Sequence, residues 1–92
     1  MSATKKTDIE SLVSAAQSGS GEAINALVHA MRPTVEMIAM EYIHSPLEKD
    51  DLVQEGMIGL LAALRAYQPK RGAAFRTFAD TCIENAIQTA LR

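Results

Sequence analysis

The feature that most constrains the fold is an apolar stripe that repeats at helical spacing near the C-terminus. Between Phe75 and Leu91, apolar side chains recur at i, i+3, i+4 and i+7, which places them on one face of an α-helix. Three more segments show helical periodicity or helix-boundary residues: 8–17, 22–44 and 50–67. Because each apolar face has to be buried against another element, we predict an all-α fold, a small bundle of three to four helices.

The expected helix boundaries come from capping and helix-breaking residues. Thr7 and Glu10 have the spacing of a capping box, and Ser20 is the expected N-cap of the second helix. Pro33 lies within that helix, where proline removes a backbone hydrogen bond and crowds the preceding turn, so we expect the helix to be kinked or broken there. The residues expected to fill core space around the proline are Met31, Met37 and Met40.

Length and composition allow one small domain. The chain has 92 residues, of which 48% are apolar and 22% are charged, a balance typical of globular domains. We expect residues 1–7 to form a disordered tail. We expect residues 8–92 to form the helical domain, truncated at its C-terminal end because the last apolar stripe is still running there. No apolar run approaches the roughly 18 residues needed to cross a bilayer, so we expect a cytoplasmic protein with no membrane contact.

The sequence offers no chemistry typical of an enzyme. His29 and His44 are fifteen residues apart and lack a cysteine or acidic ligand at metal-binding spacing. Cys82 is the single cysteine, and it lies on the apolar stripe with no neighbouring base. Since there is also no glycine-rich phosphate-binding loop, we predict no catalytic residue, no metal and no cofactor.

Charge is distributed unevenly along the chain. Residues 1–64 contain four basic and nine acidic side chains, whereas residues 65–92 contain five basic and two acidic ones. An acidic first part and a basic last part favour two surfaces with different partners. The alternative is that these charges only solvate the outer faces of the helices.

The third predicted helix is apolar on two faces rather than one. Its first face is apolar enough to form part of the core. The opposite face, which should be polar, presents Ile58 and Leu61 with Met57 at its border. The polar residues around it are Asp51, Gln54, Glu55 and Arg65. An exposed apolar strip with a carboxylate rim indicates a helical partner with basic residues, unless a further helix of the same chain covers it.

Two glycines inside the third helix need a separate explanation. Gly56 and Gly59 each cost about 1 kcal/mol relative to alanine in a helix interior. They therefore indicate a close approach of another helix, either within the bundle or from a partner.

Three motifs follow one another in the second half of the chain. They are Asp51-Leu-Val-Gln-Glu-Gly-Met-Ile-Gly-Leu60, Pro69-Lys-Arg-Gly72 and Phe75-Arg-Thr-Phe-Ala79. In this order they resemble region 2 of the sigma-70 family of bacterial RNA polymerase sigma factors, and the resemblance extends over residues 8–92. Met57-Ile-Gly-Leu60 and Cys82-Ile-Glu-Asn85 are similar to the sporulation-type sigma-H group of Firmicutes.

The resemblance implies that the third helix docks on the clamp-helix coiled coil of the polymerase β′ subunit. The core-binding contacts that it implies are Asp51, Gln54, Glu55, Met57 and Leu61, to which the helical wheel adds Ile58. These residues form the same face that the wheel leaves outside the core.

The resemblance also implies that the last helix and the loop before it meet promoter DNA at the −10 element. The residues that it places near phosphates are Lys70, Arg71 and Arg76. Asn85 and Gln88 match positions at the upstream edge of this element, and amide side chains pair well with adenine in the major groove. Phe78 matches an aromatic position used in strand separation, although its place on the apolar stripe favours core packing.

Some residues depart from the family pattern. Thr81 and Cys82 stand where housekeeping factors carry tryptophans that open the duplex, and Glu84 stands where a basic residue is common. The resemblance therefore implies weak intrinsic melting of DNA. We predict a transcription-initiation module that binds polymerase core and helps recognise the −10 element. The alternative is a protein-interaction module that binds polymerase or an anti-sigma factor without touching DNA, as a decoy or as half of a split sigma factor.

Overall fold

Four α-helices make up most of residues 8–92, the part of the chain that our computed structural model describes. They are α1 (Asp8–Gln17), α2 (Gly21–Met40), α3 (Lys49–Ala66) and α4 (Phe75–Ala90), with a short 3₁₀ helix at Pro69–Arg71 between the last two. Residues 8–92 contain no β-strand, so the prediction of a small all-α bundle is confirmed. The predicted tail, residues 1–7, lies outside the described residues.

The core forms where one apolar face of each helix meets the others. All four helices contribute the largest fully buried side chains, which are Val13, Leu27, Met31, Val35, Leu52, Leu60, Phe75, Ile83 and Ile87. The buried face of α4 is narrower than the apolar stripe of its sequence. Only every fourth residue from Phe75 to Ile87 is buried. Phe78 and Cys82, on the flank of the stripe, are half-buried. One flank of α4 therefore reaches the surface with apolar side chains.

The two glycines of α3 lie where neighbouring helices come closest. A β-carbon added at Gly59 would lie 2.6 Å from the carbonyl oxygen of Cys82 and 2.9 Å from Cα of Ile83, both on α4. At Gly56, an added β-carbon would lie 2.8 Å from Cγ1 of Val35 on α2. These distances are shorter than van der Waals contact, so the close approach is made within the bundle.

The helix α2 begins as predicted and ends earlier than predicted. The Ser20 side chain is its N-cap, with Oγ accepting a hydrogen bond from the N–H of Ala23 at 3.1 Å. The helix ends at Met40 rather than near His44. After Met40, the N–H groups of the next residues donate to carbonyls three residues earlier, which tightens the chain into turns instead of continuing the α-helix.

The centre of α2 bears on two further expectations. The chain stays helical through Pro33, so the helix is not broken there, and a kink stays a prediction. Pro33 lies on the exposed side, where solvent can satisfy the carbonyl that loses its partner. Met31 is fully buried as predicted, but Met37 is 68% exposed and Met40 is 48% exposed, so the prediction that these two fill core space is wrong. The helical period explains this difference, since positions six and nine residues after Met31 fall on the far side of the helix.

Polar side chains of α1 reach the connection between α3 and α4. The Gln17 amide nitrogen donates to the carbonyl oxygen of Tyr67 at 2.9 Å. Glu10 Oε2 accepts from the backbone N–H of Phe75 at 2.9 Å. Thr7, the other half of the predicted capping box, lies outside the described residues. The observed role of Glu10 is thus to cap α4.

Candidate functional site

The outward side of α3 presents the apolar strip that the helical wheel predicts. Ile58 is 58% exposed and Leu61 is 36% exposed, so no helix within residues 8–92 covers them. Met57 at the border of the strip is half-buried. We call this surface the α3 face, defined by Asp51, Gln54, Glu55, Met57, Ile58 and Leu61. Among the described residues, the alternative that the chain covers its own α3 face is therefore wrong.

On one side, the α3 face continues into a shallow groove between α3 and α4. The groove has a volume of about 580 Å³. Its floor consists of small residues, namely Gly59, Ala62, Cys82, Ala86 and Ala90. Glu55 and Ile58 bound it on α3, and Asn85 and Thr89 bound it on α4. The structure thus brings two of the predicted core-binding residues and one predicted DNA-binding residue to a single groove.

On its other side, the α3 face borders α2. Gln54 and Met57 line a polar groove together with Arg32 and Glu36 of α2 and Lys49 of α3. Arg32 and Glu36 form an exposed ion pair, with Nε and Oε2 3.0 Å apart. The rim of the α3 face is therefore acidic towards α4 and of mixed charge towards α2.

The predicted amide pair lies on the exposed surface of α4. Asn85 and Gln88 are both exposed, about one helical turn apart. The Gln88 Nε2 donates to the Tyr42 hydroxyl at 2.9 Å, which ties α4 to the turns that follow α2. Because a side-chain amide has two N–H groups and a carbonyl oxygen, Gln88 keeps one donor and its acceptor for another partner.

The predicted basic residues fall into two places. Lys70 and Arg71 are exposed next to each other in the 3₁₀ helix between α3 and α4. Arg76 in the first turn of α4 instead reaches α2, where its Nη1 donates to Thr34 Oγ1 at 3.3 Å. It precedes Asn85 by nine residues, about two and a half helical turns, so it lies on the opposite side of α4.

Phe78 lies at the surface of an aromatic cluster rather than in the centre of the core. Its ring centroid is 5.7 Å from that of Tyr67, and Tyr67 packs edge-on against Phe75 at 5.3 Å. A groove of about 360 Å³ opens beside these rings. We call it the aromatic groove, lined by Ala66, Tyr67, Gln68, Arg71, Ala73 and Phe78.

The titration of two groups is shifted by the fold. Burial raises the pKa of the Tyr67 hydroxyl, and the nearby Glu10 carboxylate raises it further. Burial also raises the pKa of the Cys82 thiol, which keeps this cysteine protonated and a poor nucleophile. Within residues 8–92 no cluster of three or more His, Cys, Asp or Glu side chains could hold a metal ion. No helix in the same range is long and apolar enough to span a membrane.

A comparison with known protein families identifies the family of this chain. The model of the family described as sigma-70 region 2 matches residues 27–92, which contain all of α3, the connection and α4. The chain belongs to the sigma-70 region 2 family. The α1 helix and the N-cap of α2 precede the matched segment.

Several curated sigma factors are similar to this chain over most of its length. It is 31% identical to the RNA polymerase sigma-H factor of Bacillus subtilis over 83 residues, which cover 90% of this chain and 38% of that protein. It is 36% identical to the sigma-B factor of the same organism over 88 residues, 95% of this chain and 34% of that factor. The sigma factor SigA of Mycoplasma genitalium is 38% identical over 69 residues, 75% of this chain and 14% of SigA.

These similarities support the family rather than one subgroup. The predicted likeness to sigma-H factors is found, but sigma-B factors match with a higher identity. The chain spans about a third of the length of both kinds of relative.

Sequence reasoning predicted the exposed α3 face and the amide pair on α4, and it missed some residues that lie beside the predicted site residues. Ala62 lies on the exposed side of α3. On a helical wheel its position falls between those of Ile58 and Glu55, so a complete wheel would have shown it. Arg32 on α2 and Tyr67 beside the aromatic groove depend on tertiary packing, for which the sequence has no local signal.

Proposed function

We propose that this chain is the region 2 module of a sigma factor, which docks on RNA polymerase core and helps recognise the −10 element during transcription initiation. Sigma factors are initiation factors and not enzymes, which agrees with the lack of catalytic motifs in the sequence. The single observation that carries the proposal is the exposed apolar strip of Ile58 and Leu61 on the α3 face, inside the segment that matches the family.

The α3 face has the composition of a helix-docking surface. Large apolar side chains at its centre lose water on docking, and a central anchor of this kind contributes about 2 kcal/mol or more. Asp51 and Glu55 on the rim favour a partner with basic side chains and mainly raise the rate of encounter. A coiled coil such as the β′ clamp helices suits this surface, because charged residues at its e and g positions flank its apolar seam.

Binding to purified bacterial RNA polymerase core tests the docking proposal. Ile58→Asp places a carboxylate at the centre of the α3 face, and because Ile58 is 58% exposed the change leaves the core intact. We expect it to weaken core binding by about 30-fold or more, the loss of one central anchor. Met37→Asp is the matched control, since Met37 is 68% exposed inside α2 and away from the α3 face. Equal binding by wild type and Ile58→Asp would contradict the docking proposal.

The aromatic groove and the connection next to it support contact with DNA. The rings of Tyr67 and Phe78 line this groove, and Arg71 stands at its edge. Of these two rings, the half-buried Phe78 is the one that can meet an unstacked base, since Tyr67 is only 7% exposed. Stacking contributes roughly 1–3 kcal/mol per base. Lys70 and Arg71 add attraction to phosphates that does not depend on sequence. Arg76 adds less, because Thr34 holds its guanidinium group against α2.

Asn85 and Gln88 are the residues proposed to read the upstream edge of the −10 element. Asn85 is exposed beside the groove between α3 and α4, and Gln88 follows it on the same surface. Asn85 and Ile58 border one groove, so a substitution of Asn85 can also change docking on core. DNA binding by an Asn85 variant therefore has to be measured at a core concentration that saturates the chain.

A protein-interaction module without DNA contact is the second candidate function. It is favoured by Glu84, which lies half-buried on the same helix as the amide pair and repels phosphate, and by Thr81 and Cys82 in place of tryptophans. Its partner would be polymerase core or an anti-sigma factor. Two results together would favour this candidate. The chain would bind core and lose this binding in Ile58→Asp, and its complex with core would bind a −10 oligonucleotide no more tightly than core alone.

A further inference from the structure

The connection between α3 and α4 is attached at both ends to α1. It contains residues 67–74 and carries Lys70, Arg71 and part of the aromatic groove. Two α1 side chains, seven residues and therefore about two helical turns apart, reach its two ends. They are Gln17 at the start of the connection and Glu10 at its end.

Gln17 holds the start of the connection. Its Nε2 donates to the carbonyl oxygen of Leu64, in the last turn of α3, at 2.9 Å. The same nitrogen donates to the carbonyl oxygen of Tyr67, also at 2.9 Å. Carbonyls in the last turn of a helix lack partners within the helix, so Gln17 satisfies a group that would otherwise need water and fixes the direction in which the chain leaves α3.

Glu10 holds the end of the connection. Its Oε2 accepts from the N–H of Phe75, the first residue of α4, at 2.9 Å. A carboxylate at a helix N-terminus is stabilised both by the free N–H groups and by the helix dipole. Its Oε1 lies 3.4 Å from the hydroxyl of Tyr67, and that hydroxyl donates to the carbonyl oxygen of Ala73 at 2.6 Å.

We infer that Glu10 and Gln17 are positioning residues for DNA binding, which hold the connection and the aromatic groove in place without touching DNA themselves. Both lie outside the segment matched by the family model. The inference rests on the proposed function, because it assigns the connection to the DNA-facing surface. The raised pKa of Tyr67, caused by burial and by Glu10, agrees with a tyrosine that is enclosed by this contact.

Two substitutions remove the contacts, one on each side chain. Gln17→Glu replaces the donor by a carboxylate that repels the two carbonyls, and Glu10→Ala removes the acceptor. Glu10→Gln keeps one acceptor oxygen and should restore most of the effect. Ser14→Glu is the control for charge, since Ser14 is exposed on α1 about one turn before Gln17.

The first measurement is limited trypsin cleavage after Lys70 and Arg71, followed by mass spectrometry. We expect Gln17→Glu and Glu10→Ala to speed cleavage in the connection by about fivefold, the effect of one hydrogen bond on local opening. Cleavage after Lys49, at the start of α3 and far from the connection, and the rate in Ser14→Glu should stay as in wild type. Unchanged cleavage in both variants, or equal acceleration after Lys49, would overturn the inference.

The second measurement is binding of a single-stranded −10 oligonucleotide to the complex of this chain with polymerase core. We expect the same two variants to bind it about fivefold more weakly while their affinity for core stays within about twofold of wild type. Equal oligonucleotide binding by wild type and both variants would overturn the positioning role. If the wild-type complex binds no oligonucleotide, the proposed function fails, and trypsin cleavage still decides whether α1 holds the connection.

Discussion

Replacing Gly59 by alanine tests the closest helix contact in the bundle. The added β-carbon would lie 2.6 Å from the carbonyl oxygen of Cys82 and 2.9 Å from both Cα of Ile83 and Cβ of Ala86. Two of these three atoms belong to the α4 backbone, so no side chain can rotate away to make room. The shortest distance falls about 1 Å below the optimal separation of roughly 3.5 Å, and α4 has to move away from α3 along their shared interface.

Two opposing effects decide the size of the change. Alanine in a helix interior is more stable than glycine by about 1 kcal/mol. Overpacking of a well-packed core costs about 1–3 kcal/mol, and the backbone contact at Gly59 places this site at the upper end of that range. We therefore expect a net loss of about 1–2 kcal/mol in the free energy of unfolding, which lowers Tm by about 4–15 °C in a domain of this size.

Urea denaturation and thermal unfolding followed by circular dichroism measure this loss. Gly21→Ala is the matched control, because Gly21 also lies in a helix but nothing stands within 4 Å of an added β-carbon. That change should alter stability by less than about 0.5 kcal/mol. If Gly59→Ala were as stable as wild type or more stable, helix propensity would outweigh packing, and the close approach of α3 and α4 would be refuted.

Three further predictions concern capping, pH and DNA recognition. Ser20→Ala removes the N-cap of α2 and should cost about 1 kcal/mol in urea denaturation, while Ser20→Gly should cost only a few tenths; equal losses would contradict the capping role. The pKa of Tyr67 is raised by burial and by Glu10, so the unfolded chain releases that proton first and stability should fall as pH rises above about 10. Glu10→Gln should make this fall smaller, and an identical pH profile would argue against the contact. Asn85→Ala combined with Gln88→Ala should weaken binding of −10 duplex DNA to the core complex by about tenfold or more, and unchanged discrimination against a substituted −10 element would remove both residues from the reading role.

Periodicity predicted the helices and the core well, because each helix buries one face of its own sequence pattern. The stripe of α1, predicted to contain Ile9, Leu12, Val13 and Ala16, is an example, since three of these are buried and Leu12 is half-buried. The exposed strip on α3 was predictable for the same reason, as Ile58 and Leu61 fall outside the face that the core uses.

Local rules failed where solvent or distant residues decide the outcome. A break of α2 at Pro33 was one of the two expected outcomes, but the helix continues through this residue, which faces solvent. Met37 and Met40 were assigned to the core by residue type, and the phase of the helix places them outside. Glu10 has a local capping pattern with Thr7, yet its carboxylate caps a helix 65 residues further along the chain.

The central claim is that α3 docks on polymerase through the face that carries Ile58. Site-specific photo-crosslinking tests it most directly, with a crosslinker placed at position 58 in one variant and at position 37 in another, each bound to purified polymerase core. We predict crosslinks from position 58 to the clamp helices of β′, and none from position 37, which lies on the exposed side of α2. Crosslinks from position 37 alone, or from position 58 to a different subunit, would contradict the account.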